Sequence, residues 1–351
     1  MTKLRLGVIG AGSWAISSHL PNFAKRSDDV EFVAVCRKGP LLQKVKDDWG
    51  FAIASEDYRD VIDAGVDICL VASPHGLHYE HTKAALESGA HVLCEKPFTV
   101  EPTHAWELVE LAARKSLHLV LSYGWNYKAP MREAKRLMDE RGIGEVEQSA
   151  LQMASVCREL LANLGDYPAA SPESVPEYAT WTDPRNGGGY AQAQLSHALG
   201  VGLWLTQLRG ESVFAIMKSV LDAPVEHHDA AVIRYDNGSI GTMAGGSCHL
   251  GAGDNRHQLE FRAIGSEGQL MIDLERDEFW LWRSDGFEVG PDLPRDSLLY
   301  DCDGPPNTLV DLALGKDVEN FSPGELGART VELIDAAYRS ARSGQMEAVR
   351  R

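Results

Sequence analysis

Several protein classes are excluded by what this chain lacks. Its 34 lysines and arginines are outnumbered by 51 acids, for a formal net charge of −17. A surface of that sign repels phosphate backbones, so neither nucleic acid nor an anionic membrane is an expected partner. An anionic cofactor still binds where local dipoles and cations outweigh the global field. No apolar run is long enough to span a bilayer, and Met1-Thr2-Lys3-Leu4 leads at once into a strand pattern, without the signature of a secretory leader. The six cysteines (Cys36, Cys69, Cys94, Cys157, Cys248, Cys302) are scattered, and no two form a Cys-x-x-Cys pair. They read as reduced packing residues of a cytoplasmic protein, not as disulfides or metal ligands. With 351 residues, 44% of them hydrophobic, the chain has material for two globular domains.

What is present first is alternation. Apolar strand-like runs at 4–9, 30–36, 68–72, 91–94 and 117–123 are separated by helical patterns at 13–25, 41–49, 77–88 and 102–115. Pro21 marks a kink or break in the first helix. This order predicts an α/β fold with a doubly wound parallel sheet over residues 1–124. After a helix at 131–141 the pattern changes to strands joined by tight turns: 212–221, 230–235, 239–245, 258–264, 269–274 and 279–282. Asp236-Asn237-Gly238 and Gly265-Ser266-Glu267-Gly268 are the turn signals. Residues 125–351 are therefore expected to form an α+β domain with a mostly antiparallel sheet, closed by a helix at 324–342. The proline- and glycine-rich stretch 163–188 reads as a long ordered loop.

The first strand runs into Gly10-Ala11-Gly12-Ser13-Trp14-Ala15. A glycine turn between a strand and a helix brings backbone amides and the helix dipole to bear on a pyrophosphate. Gly10 makes the turn, Gly12 leaves space for phosphate, and Ala15 lets helix and strand pack closely. The second strand ends Cys36-Arg37-Lys38, without the acid that would accept from the ribose hydroxyls of NAD. Arg37 can instead bind a 2′-phosphate, so NADP is expected over NAD. In the alternative, Arg37 and Lys38 are a solvated turn and NAD binds without its usual acid.

Two further segments carry chemistry. Ser73-Pro74-His75 and His78 follow the strand at 68–72 and are expected to touch the cofactor. The spacing of His75, His78 and His81 by three suggests metal ligands, but no cysteine is near and Glu80 would face away from His78, so no metal is expected. The strand at 91–94 opens onto Glu95-Lys96-Pro97. A lysine at that position is costly to desolvate without a function or a partner. The following X-Pro bond is able to be cis.

These segments, with Gly124-Trp125-Asn126-Tyr127, Trp181 and Gly187-Gly188-Gly189, resemble the glucose–fructose oxidoreductase / inositol dehydrogenase (Gfo/Idh/MocA) family over nearly the whole chain. The resemblance implies a Rossmann domain and a second domain whose sheet mediates homodimers or homotetramers. It implies small-molecule substrates that are sugars, polyols or related cyclic alcohols and ketones. It makes Lys96 the catalytic lysine beside the nicotinamide, with Glu95 orienting it or touching the cofactor. The family run Gly-Gly-Gly-x-Leu-x-Asp-x-Gly-x-His falls on 187–197, where His197 is kept but Ala193 stands in place of the aspartate and Leu195 in place of the glycine. His197 is then the second catalytic candidate, and Tyr190, Gln192 and Gln194 are candidates to replace the lost carboxylate toward the substrate. Trp125, beside the cofactor, and Asn126, Tyr127 and Trp181 are expected to line the pocket. The leading reading is a dehydrogenase or reductase acting on CH–OH groups. A redox-assisted lyase or glycosidase with recycling cofactor, and a non-catalytic NADP-binding sensor, are the alternatives.

Overall fold

Six short strands set the first half of the molecule. In the computed structural model, which describes residues 2–164, 178–249 and 258–351, these are β1 (Leu4–Ile9), β2 (Val30–Cys36), β3 (Ile53–Ser55), β4 (Ile68–Val71), β5 (His91–Cys94) and β6 (Leu119–Leu121). They lie in the order β3-β2-β1-β4-β5-β6, all parallel. That is the doubly wound order in which the winding reverses between β1 and β4. β4 is buried at all four residues, as a strand covered on both faces must be, and this explains why it reads as one unbroken apolar run. The first helical stretch is not uniform. A π-helical turn at Ala15–His19 precedes Leu20–Ala24, whose first turn holds Pro21. The expected irregularity is therefore a widened turn ahead of the proline.

The second sheet begins with a strand that the sequence pattern did not reveal, β7 (Val146–Ser155). It continues with β8 (Gly210–Lys218), β9 (His228–Tyr235), β10 (Ile240–Ser247), β11 (Gln258–Gly265), β12 (Gly268–Asp273), β13 (Glu278–Arg283), β14 (Glu288–Val289) and β15 (Glu347–Ala348). The order is β14-β13-β12-β11-β7-β10-β9-β8-β15. β7 pairs parallel with β10 and every other ladder is antiparallel. β9 alternates buried and exposed residues along its length. One face of the sheet is therefore packed, largely by the helix Ser196–Thr206, in which Ser196 through Leu205 are all buried. Gly202 permits the close approach, since a Cβ there would stand 3.0 Å from Phe261.

The chain divides into two units. The first holds residues 2–124, 178–180 and 301–328; the second holds 125–164, 181–249, 258–300 and 329–351. A single cut after residue 124 was the expectation, and 301–328 departs from it. The helix Gly304–Ala313 packs on β4, β5 and β6. Asp311 pairs with Arg26 at 2.7 Å, and the Ser322 hydroxyl donates to the Leu121 carbonyl at 2.6 Å. These contacts belong to the first unit. Of the stretch read as a loop at 163–188, residues 165–177 lie outside the described residues, and the remainder includes helical turns at Tyr178–Thr182 and Pro184–Asn186. Among the described residues no helix is long and apolar enough to cross a membrane.

Candidate active site

In the first unit the glycine turn sits at the point where the winding reverses. Gly10 has φ +89°, and a Cβ there would fall 2.3 Å from the Ser73 amide nitrogen, so only glycine lets the ends of β1 and β4 meet. Gly12 differs: a Cβ there would meet nothing nearer than the Gly10 carbonyl at 4.0 Å. The position of a Gly12 Cβ is thus uncrowded, which suits a phosphate approaching the backbone. Ala15 is buried and Ser13 and Trp14 are half-exposed on the same turn. Arg37 lies against it, its Nη1 donating to the Ala11 carbonyl at 2.6 Å. Cys36 is buried and Lys38 exposed. Acids near the end of β2 are engaged elsewhere: Glu56 with the Gly39 amide, Asp57 with Arg59, and Asp60 with Ser55.

The histidines after β4 are tied into the scaffold. His78 is fully buried, with Nδ1 at 2.8 Å from the Pro97 carbonyl and Nε2 at 2.8 Å from the Ser73 carbonyl. Both ring nitrogens of this cofactor candidate thus face backbone, and the ring braces the turn. His81 Nδ1 is 2.8 Å from the Ser73 hydroxyl, and burial lowers its pKa to about 4. His75 is buried, its ring 5.7 Å from that of His78. Pro74 leads into this turn. The three rings do not gather as a ligand set. Among the described residues the ligand-type atoms that do gather, within 4.8 Å, belong to His19, Glu95 and Cys302.

His19 is the residue the sequence reading missed. The π-helical turn ends on it, and its Nε2 lies 2.5 Å from Glu95 Oε1, deep in the unit. The other Glu95 oxygen accepts from the Lys96 amide at 3.0 Å. Burial pushes the Glu95 carboxyl up. The bond and charge of His19, the charge of Lys96 and a Ser122 hydrogen bond outweigh this and hold it at about 2. Glu95 is therefore a fixed anion at neutral pH. Lys96 is half-buried, and its bond to Pro97 is cis.

In the second unit three rings meet edge to face. His197, 5% exposed, stands 5.4 Å from Trp125 and 5.0 Å from Tyr300. The Trp125 indole N–H donates to the Leu298 carbonyl at 3.0 Å, and its ring belongs to the His197 group. Asn126 is fully buried and Tyr127 half-exposed. Trp181 explains part of the triple glycine: a Cβ on Gly188 would fall 2.7 Å from the Trp181 carbonyl.

Tyr190 and Gln194, expected to reach substrate, are enclosed instead. The Tyr190 hydroxyl donates to the Met153 carbonyl at 3.1 Å and lies 3.2 Å from the Ser155 hydroxyl, which also donates to Gln194 Oε1 at 3.3 Å. Both side chains tie the π-helical turn Ala191–Leu195, which leads into the helix Ser196–Thr206, to β7. Gln192 is as deeply buried, and its Oε1 has no hydrogen-bond partner.

Two acids that the sequence reading passed over lie under this helix. Glu226 Oε1 accepts from the Tyr338 hydroxyl at 2.6 Å and from the Ala191 amide at 3.0 Å. A Cβ on Gly189 would strike it at 2.4 Å, which accounts for the last glycine of the triplet. Asp229 is 4% exposed, and neither carboxylate oxygen has a hydrogen-bond partner. Burial and the neighbouring Glu226 raise its pKa well above the ordinary value. The available signal was the run Glu226-His227-His228-Asp229, an unusually polar opening for a core strand.

A glycine turn at the reversal of a doubly wound sheet, joined to a second, sheet-based unit, defines the dinucleotide-binding class. Comparison with known proteins narrows that class. Residues 4–123 match the family described as "Oxidoreductase family, NAD-binding Rossmann fold", and residues 131–271 match the GFO/IDH/MocA C-terminal domain. The chain belongs to the Gfo/Idh/MocA oxidoreductase family.

It is 37% identical to D-glucoside 3-dehydrogenase of Escherichia coli (strain K12) over 129 residues, 36% of either chain. It is 42% identical to D-xylose 1-dehydrogenase (NADP(+)) of Hypocrea jecorina over 128 residues, 34% of this chain and 33% of that one. The chain spans little more than half, 57%, of one curated relative's length and less of these two. The crystal structure of the WlbA dehydrogenase from Bordetella pertussis, in complex with NADH and UDP-GlcNAcA, is similar over 100% of both chains, with a TM-score of 0.78 at 19% identity. That likeness concerns the fold.

Proposed function

We propose that this protein is a nicotinamide-dependent oxidoreductase acting on CH–OH groups of a sugar, polyol or related cyclic alcohol or ketone, with NADP as its preferred cofactor. The observation that carries the proposal is the turn at Gly10 and Gly12, where one glycine is demanded by packing and the other faces room that no neighbouring side chain of its unit fills. The residues present fit a dinucleotide. The Ala11 amide is taken by the Cys36 carbonyl at 3.1 Å, so the helix opening after Gly12 would hold the pyrophosphate, with Ser73 and Pro74 bordering the turn and Arg37 taking the 2′-phosphate. Relatives named as dehydrogenases of a D-glucoside and of D-xylose support a carbohydrate substrate.

When bound, the nicotinamide accepts or returns the hydride. The Lys96 ammonium donates a hydrogen bond to the reacting oxygen and stabilises the charge that grows there. His197 accepts the hydroxyl proton in oxidation and returns it in reduction. Glu95, ionised and pinned by His19, is a poor base and serves to hold the Lys96 backbone. Trp125, Asn126, Tyr127 and Trp181 are assigned to the substrate side. The test is steady-state assay of a sugar and polyol panel with NADP and NAD. The proposal holds if oxidation of at least one such alcohol is lost in Lys96→Met while dinucleotide binding persists, and fails if no dinucleotide binds.

The open face of the second sheet supports a homodimer or homotetramer. Ile216, Val232 and Ile240 are 65%, 46% and 57% exposed there. Phe214 pairs with Val232, Val232 with Thr242 and Thr242 with Ala150, so the apolar surface continues across four strands. Light scattering of Val232→Glu should show monomer where the parent is an oligomer; a monomeric parent contradicts the assembly.

A further inference from the structure

Topology brings three strand ends to one edge of the second sheet. β7 runs parallel to β10 and β9 antiparallel to it, so the ends of β7 and β10 meet the start of β9. The chain after β7 is folded onto that edge, since the amides of Cys157 and Cys248 both donate to the Ser155 carbonyl, at 3.0 and 2.8 Å. Arg158 follows directly. Its carbonyl faces His227 Nε2 at 3.3 Å, and the ring of His228 stands 6.4 Å from that of His227.

Arg158 is the anomaly at this edge. Its Nε is enclosed and has no hydrogen-bond partner, and among the described residues the guanidinium forms no ion pair. The residue as a whole keeps partial exposure, so it is reachable from outside. The acids close by in the chain do not answer it. Glu159 holds His249 at 2.7 Å, and Glu226 is taken by Tyr338 and the Ala191 amide. Asp229 has no hydrogen-bond partner, and its burial favours the neutral acid. Burial, joined by the charge of Arg158, also lowers the pKa of both histidines. In a chain of net charge −17, a cation in a partly buried position that no acid among the described residues pairs is unexpected. An arginine is always charged, and its fork is shaped for two parallel bonds to a planar or tetrahedral oxyanion.

We propose that Arg158, flanked by His227 and His228, receives an anionic group carried by the substrate, a carboxylate or a phosphate on the sugar or polyol. This rests on the dehydrogenase reading and narrows its substrates to acidic ones. The group contacts the Arg158 fork through two oxygens, and His228 supplies an N–H donor beside it, while His227 braces the edge with its ring nitrogens against the Val225 and Arg158 carbonyls, both at 3.3 Å. No bond is made or broken at this site.

The test is calorimetric binding of D-glucose, D-glucuronate and D-glucose 6-phosphate to the full chain saturated with dinucleotide, with turnover of each measured in parallel. One anionic sugar should bind at least about tenfold more tightly than glucose. The preferred one tells carboxylate from phosphate. Arg158→Gln should erase that margin while leaving glucose affinity and thermal midpoint unchanged, and Arg158→Lys should keep part of it. The proposal is overturned if neither anion outbinds glucose, or if Arg158→Gln weakens all three alike. Arg158-dependent anion binding without turnover of any sugar would sustain the receptor and sink the dehydrogenase reading. Turnover of glucose with no anion preference would do the reverse.

Discussion

Glu95 in the first unit and Asp229 in the second are buried acids held in opposite ways. In the first, Glu95 is matched by His19, by the Lys96 amide and by Ser122, and Arg37 is seated on the Ala11 carbonyl. In the second, Glu226 is matched by Tyr338 and the Ala191 amide, but among the described residues the neighbouring Asp229 has no hydrogen bond and Arg158 no ion pair. A site matched in advance suits a ligand that is always the same, and a nicotinamide dinucleotide is such a ligand. Unmatched groups suit one that brings the complement itself, as a family with varied substrates would need. The difference teaches that preorganisation is concentrated where the chemistry is shared.

The contrast can be broken or sharpened by substitution. The largest effect is expected at Lys96. Lys96→Met should lower kcat by about a thousandfold while dinucleotide affinity changes by less than about threefold, as stopped-flow transfer and fluorescence titration would show. Near-normal turnover would remove Lys96 from the reaction.

Glu95→Gln comes next, because it leaves His19 buried beside a neutral amide. A stability loss of about 2–4 kcal/mol at pH 7 is expected in urea melts. The Glu95 carboxyl is lowered on folding, so its contribution is present above the ordinary value of 4.5 and is lost as pH falls toward about 2. The gap between parent and variant should therefore narrow at pH 3, and a constant gap would contradict the matched pair.

At Arg37, replacement by alanine should weaken NADP by about ten- to hundredfold and leave NAD unchanged. Equal losses for both would assign Arg37 to the turn alone. The smallest effect is expected at Asp229. Its pKa is raised on folding, so it favours the fold at low pH and that support is lost as pH rises through the raised value. Asp229→Asn, which cannot ionise, should gain about 1 kcal/mol on the parent at pH 8 relative to pH 5. A difference independent of pH would show that Asp229 is matched after all.

The first unit was the more legible in the sequence. Strands buried on both faces give unbroken apolar runs, and 4–9, 30–36 and 91–94 were placed to the residue. β7 escaped because Val146–Ser155 has Ser149 at a buried alternate position and alanine or glutamine between. Its buried serine is accounted for only in three dimensions, by the Tyr235 hydroxyl 3.1 Å away. Motif spacing singled out Gly10, Lys96 and His197 as candidates, but not their partners distant in sequence. His19 lies 76 residues from Glu95, and Glu226 lies 35 from Ala191. Tyr190 and Gln194 were drawn toward the substrate by their place in the motif, yet the helix turns them onto β7.

The central claim is that a nicotinamide dinucleotide rests on the opening glycine turn, and Gly12 offers the most direct test of it. A Cβ there meets nothing nearer than the Gly10 carbonyl at 4.0 Å, so Gly12→Val is expected to fold as the parent does and to differ toward the ligand. Calorimetric titration with NADP and NAD should give binding to the parent and none detectable to Gly12→Val at equal thermal midpoint. Equal affinity in the two proteins, or a parent that binds neither dinucleotide, would contradict the account.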